Sequence, residues 1–201
     1  MIATIQNGDA MFKRALALAA LFTSTAACAS QKPTVTAPLT PPPPVAEKPM
    51  WTCPTCTPVE QYVLKTIQQN TRITDKNALA TILGNIKSES NFHSNICEGG
   101  ARVPYEQCHK GGYGIIQWTS LGRYNNLGKF ASKYGCSPSE FKCQVRYMIN
   151  ESVFQRNLPA FEGNGQTVSQ YMRPAYYWLG WGIKGNRELY AYQYTKMLKW
   201  G

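Results

Sequence analysis

Glu89 is the residue whose type and position most favour chemistry. Leu79, Ile82, Leu83 and Ile86 follow the i, i+3, i+4, i+7 spacing of one helical face, and Glu89 comes seven residues after Ile82 and three after Ile86. At about 100° per residue its carboxylate falls on that same apolar stripe. Taking a carboxylate out of water disfavours its charged form and raises its pKa. A carboxyl group that keeps its proton near neutral pH can protonate the leaving oxygen of a glycosidic bond. The competing reading is plainer: the helix frays at Ser88 and the side chain stands in water.

Two-carboxylate glycoside cleavage needs a partner acid. After Asp75 the chain has no Asp, which leaves Glu98, Glu106, Glu140, Glu151, Glu162 and Glu188. Glu151 follows Tyr147 and Met148 at helical spacing, so it is expected to face the core and is the candidate supporting acid. Its plainer role is a structural hydrogen bond or an ion pair with an arginine. Aromatic rings suit a sugar cleft, because flat faces pack on sugars and polar tips reach hydroxyls. Tyr113 and Trp118 are the candidate substrate-binding rings; Tyr176, Tyr177, Trp178 and Trp181 form a later cluster read as core.

The chain has seven cysteines, an awkward number for an oxidising compartment. Setting Cys28 aside leaves six disulfide candidates: Cys53, Cys56, Cys97, Cys108, Cys136 and Cys143. Sequential pairing of the last four would close two short loops, each worth up to ~3 kcal/mol through chain entropy. Cys53-Pro-Thr-Cys56 admits a local disulfide or a crosslink to the rest of the domain; a redox motif would need a βαβ context that the pattern does not offer. His93, Cys97, Cys108 and His109 do not have the spacing of a usual zinc site, so no metal and no cofactor are expected.

The elements that must hold these residues are helical. Pro58 suits a first helical turn, with Val59, Tyr62, Val63 and Ile67 on one stripe. Thr74 or Asp75 caps the helix that ends near Glu89. A loop rich in Gly and Cys runs over about 92–112, and a short hairpin over 112–119 is compatible with the pattern. Further helices are expected over 121–133, 141–154, 167–178 and 186–199. The fold class is therefore mainly α.

Ahead of this domain the chain changes character. Lys13 and Arg14 precede the apolar run from Ala15 to Phe22, too short to span a membrane, and small residues lead to Cys28. This reads as an export signal starting at Met11. Ala26-Ala27-Cys28 fits a lipobox with Cys28 as the lipidation site; Ala27-Cys28-Ala29 fits an ordinary cleavage site instead. Pro-rich sequence follows, including Pro41 to Pro44, and favours polyproline II at ~3.1 Å per residue, a reach of roughly 70 Å over the segment to Met50. The expected organisation is signal peptide and lipobox over 1–28, linker over 29–57, and a domain over 58–201. The protein is expected to be exported, either membrane-anchored through a lipid or periplasmic or secreted.

Together, Leu83-Gly-Asn-Ile-Lys-Ser-Glu-Ser-Asn-Phe92 and Gly112-Tyr-Gly-Ile-Ile-Gln-Trp-Thr119 resemble the phage tail lysozyme family, which is similar to goose-type lysozymes and soluble lytic transglycosylases. The resemblance extends through Arg123-Tyr-Asn-Asn-Leu and Phe130, Gln144 to Glu151, Arg173-Pro174 and Arg187, roughly residues 76–197. It implies a lysozyme-like helical domain, Glu89 as general acid, Gln117 as a sugar contact and peptidoglycan as partner. It implies cleavage of MurNAc–GlcNAc linkages, either by water or by the muramic acid's own 6-hydroxyl. It also admits a phage-encoded or virion-associated protein. Tyr171-Met-Arg-Pro departs from the family pattern, which more often has an acidic residue before Arg-Pro.

Of 201 residues, 43% are hydrophobic and 12% aromatic, enough for one moderate domain with a core. The net charge of +10 suits a polyanionic partner: nucleic acid, an anionic membrane or an acidic cell wall. The basic residues are scattered, and no nucleic-acid-reading signature accompanies them, so nucleic acid is not expected. The charge could equally serve solubility alone. A monomer is expected. The rival function is a non-catalytic peptidoglycan-binding lipoprotein that uses the same cleft.

Overall fold

The computed structural model describes residues 48–109 and 111–201. The export signal, the lipidation site at Cys28 and the linker up to residue 47 lie outside the described residues. Within them, seven α-helices and one two-stranded ribbon occur in the order β1 (Trp51–Thr52), α1 (Pro58–Asn70), α2 (Lys76–Ser90), α3 (Leu121–Tyr134), α4 (Phe141–Asn150), α5 (Ser152–Phe161), α6 (Val168–Leu179), α7 (Arg187–Met197) and β2 (Lys199–Trp200). The class is mainly α.

Helix starts follow their local chemistry. Thr57 and Glu60 form a capping box ahead of α1, with Pro58 in its first turn. The Asp75 carboxylate accepts from the Asn77 and Ala78 amides at the start of α2. Thr167 and Gln170 make a second capping box before α6. These caps satisfy amides that a helix start otherwise leaves without partners.

The molecule is organised around α2. Every residue from Ala78 to Ile86 is buried, so the helix is enclosed on all sides by α1, α6 and α7. Gly84 is the reason α7 can come so close. A Cβ there would lie 2.4 Å from the Ala191 amide nitrogen and 2.9 Å from the Arg187 carbonyl oxygen. Two helix backbones meet directly at this point, which fixes where α7 begins relative to the end of α2.

Three differences from the sequence reading have physical causes. The helix expected over 141–154 is two helices, broken at Glu151, whose backbone is extended (φ −68°, ψ 143°) and whose carboxylate is tied to side chains from elsewhere. The expected hairpin is reduced to a single bridge, Tyr113 to Trp118, because buried residues on both sides hold the intervening turn. The folded body also begins before Pro58. Trp51 and Thr52 pair antiparallel with Trp200 and Lys199, and the Trp51 and Trp200 rings pack edge to face at 5.2 Å. The Cys53–Cys56 disulfide behind them is buried in the core.

Candidate active site

The last turn of α2 carries Glu89, and its side chain is 12% exposed. One carboxylate oxygen accepts a hydrogen bond from Nη2 of Arg187 at 2.5 Å. Burial pushes the Glu89 carboxyl above the ordinary carboxylate range, against the lowering pull of the Arg187 hydrogen bond and charge and of the Arg123 charge. Arg187 is itself fixed. Its Nη1 donates to the carbonyls of Ile183 and Lys184 at 2.8 and 2.9 Å, and its guanidinium carbon lies 4.8 Å from the Trp181 ring centre. The acid is thus enclosed, oriented by one arginine and set toward its protonated form.

Ser90 ties this helix end to the facing turn. Its hydroxyl donates to the Ile115 carbonyl at 2.8 Å. The same turn is held from the other side by the buried Gln144, whose amide oxygen accepts from the Ile115 N–H at 2.9 Å while its Nε2 donates to the carbonyls of Ser94 and Pro138. Gly114 has no alternative here: its φ is +79°, and a Cβ would sit 2.5 Å from that same amide oxygen. Gln117 follows with φ +51°, half-buried, its Nε2 donating to the Gly114 and Ile96 carbonyls. That leaves its side-chain oxygen as the acceptor it can offer a ligand. Among the described residues the non-glycine positions with positive φ are Asn91, Phe92 and Gln117, two just after Glu89-Ser90 and one on the facing turn. Strain of this kind gathers where a site over-determines its backbone.

The two rings expected to face sugar do not. Tyr113 and Trp118 have no exposed surface. The Tyr113 hydroxyl bonds to Val103 and Ser139, and the Trp118 indole N–H donates to Glu151 at 3.2 Å. A ring with both faces packed cannot stack on a ligand, so both are the floor beneath the turn.

Glu151 occupies its plainer role. Its two oxygens accept four N–H donors: the Trp118 indole, the Trp178 indole at 3.1 Å, and two nitrogens of Arg123 at 3.1 and 2.6 Å. With both oxygens engaged, it joins α3, α6 and the turn. Of the other carboxylates, Glu60 is held by Thr57 and Tyr194, Glu162 by Arg72, and Glu188 by Lys184 and Ser169. Glu98, Glu106 and Glu140 are exposed.

Cys97–Cys108 and Cys136–Cys143 are disulfides, as is Cys53–Cys56. The first pins the loop that follows the Glu89 helix, and it removes the two thiolates from the His93–His109 zinc set. Burial of Cys53 and Cys56 leaves the third bond little access to a redox partner.

Arg187 is the site residue that the spacing of the sequence did not supply. It lies 98 positions from Glu89. The local signal was Gly84, which with Ala80 and Thr81 makes a face of small residues and marks a close helix approach.

An enclosed carboxyl at a helix end, joined through Ser90 to a strained Gln-bearing turn within a mainly α body, fits a lysozyme-like domain. The family model described as phage tail lysozyme matches residues 59–176, more than half of the chain. The chain belongs to the phage tail lysozyme family, and with it to the glycosidase-type enzymes that break down peptidoglycan. No match was found among curated proteins or among solved structures.

Proposed function

We propose that the protein cleaves peptidoglycan glycan strands with Glu89 as its single acid–base group, and that the muramic acid 6-hydroxyl is the attacking group. The observation that carries this is the Glu89 carboxyl: enclosed, raised in pKa by burial, and held at one oxygen by Arg187. The oxygen not bonded to Arg187 gives its proton to the bridging oxygen as the C1–O bond breaks. The 6-hydroxyl oxygen then bonds to C1, and its proton returns to Glu89. No water is consumed, and the product ends in a 1,6-anhydro sugar. Arg187 stabilises the carboxylate that exists between the two proton transfers. Gln117 offers its side-chain oxygen to the sugar.

The internal nucleophile is favoured over water because the substrate itself carries the 6-hydroxyl to C1, whereas a water would have no second carboxylate to position it: the other described carboxylates are engaged elsewhere or exposed. Mass spectrometry of digested sacculi tests this. Anhydro-muropeptides are expected; reducing-end products alone would reassign the nucleophile to water.

Export through the signal before Cys28, a lipid anchor at Cys28 and the Pro-rich tether complete the proposal. A Pro-rich tether suits a domain that leaves a membrane surface to reach the wall. No helix among the described residues is long and apolar enough to cross a membrane.

A further inference from the structure

The contact that orients Glu89 continues outward onto the surface. Arg187 packs on Trp181 at 4.8 Å; Trp181 packs on Tyr176, and Tyr176 on Tyr177, each at 5.5 Å between ring centres. Tyr176 is 48% and Tyr177 58% exposed, although both belong to a helix whose other face is core. The turn from α6 to α7 contains Gly180, Gly182 and Gly185, at which an added Cβ would meet open space or only the Arg187 side chain. Of that turn's bulky side chains, Trp181 packs on Tyr176 and so belongs to the run, and Ile183 stands in solvent, 83% exposed. The result is a run of aromatic rings that begins in contact with the arginine of the acid and ends in solvent.

We propose that Tyr176 and Tyr177 form a glycan-binding platform, a subsite for N-acetylated sugars next to the one being cleaved. This deepens the glycosidase reading of Glu89 and rests on it for the identity of the ligand. Three features select a sugar chain over a protein partner. Each exposed ring joins a flat apolar face to a hydroxyl, which matches the alternating apolar and polar faces of a pyranose. The rings meet edge to face at 65° and 78°, so they present differently tilted faces along a path rather than one flat apolar patch. The ring contacts lead through Trp181 to Arg187, which holds Glu89, so the rings lie beside the acid and a strand lying on them would be placed next to it.

The test measures binding without turnover. The full chain carrying Glu89→Gln is titrated calorimetrically with soluble glycan strands released from sacculi by an amidase. Adding Tyr176→Ala and Tyr177→Ala is expected to weaken binding about tenfold or more, while Tyr176→Phe with Tyr177→Phe stays within about threefold because the rings remain. The melting temperature of each variant shows that the exposed substitutions leave the fold intact. Unchanged affinity in the alanine pair, or no binding by the parent, overturns the platform. The acid's role is scored separately, by sacculus clearing with Glu89 present and replaced. Clearing that depends on Glu89 beside unchanged strand affinity rejects only the platform. Clearing that survives Glu89→Gln beside weakened affinity rejects only the acid.

Discussion

At Glu89 two opposing influences meet. Burial holds the proton on, and Arg187 draws it off. A general acid works in its protonated form, so activity is expected to fall as pH rises through the elevated pKa of Glu89. Arg187→Met removes the lowering influence. The descending limb of the pH–rate profile should therefore move to higher pH, even though the maximal rate drops with the lost orientation. A limb that stays in place, or moves down, would show that Arg187 does not set the proton affinity of this group. Glu151 makes a different prediction, because its role is to hold the structure. Glu151→Gln leaves Arg123 in a largely enclosed position without its charge partner, and breaking such a pair costs about 3 kcal/mol or more. Urea unfolding should show that loss; a cost below about 1 kcal/mol would contradict the hub.

Among the elements, α2 and α7 decide the geometry of the site. Gly84→Ala drives a methyl group into the backbone of α7. It should destabilise the protein by about 1–3 kcal/mol, and clearing activity should fall because Arg187 moves with α7. Gly122→Ala on α3 is the control: nothing lies within 4 Å of the added Cβ, and a gain of about 0.5 kcal/mol is expected. Equal effects at the two glycines, read by urea unfolding, would remove the close approach from the account. Much at this scale was legible in the sequence, because helix periodicity and caps are local. Leu79, Ile82, Leu83 and Ile86 are all buried, and of the two candidate caps, Thr74 and Asp75, it is Asp75 that caps α2. The break at Glu151 was not legible, since its cause is a set of donors on α3, α6 and the turn before α3. Nor was the burial of Tyr113 and Trp118: an aromatic near a candidate sugar-contacting glutamine looks the same in sequence whether it would line a site or supports it.

For the whole molecule, the ends of the described body are joined. The two-residue strands β1 and β2 are too short to show a period of two, so the sequence suggested a linker up to 57 where the fold uses Trp51 to Cys56. The candidate site draws on the end of α2, the turn over Gly114 to Gln117 and the start of α7, with disulfides fastening the loops between. The order of the Glu-Ser and Gly-Ile-Ile-Gln segments was readable, and so was the stripe that carries Glu89. Arg187 was part of the resemblance, but its role in orienting the acid became visible only through tertiary packing. The central claim, that this one carboxyl group delivers the proton, is tested most directly by the rate at which the full chain clears purified sacculi, compared between wild type and Glu89→Gln at matched folded fraction. The rate is expected to fall about 1,000-fold with strand binding retained. Clearing within tenfold of wild type would contradict it.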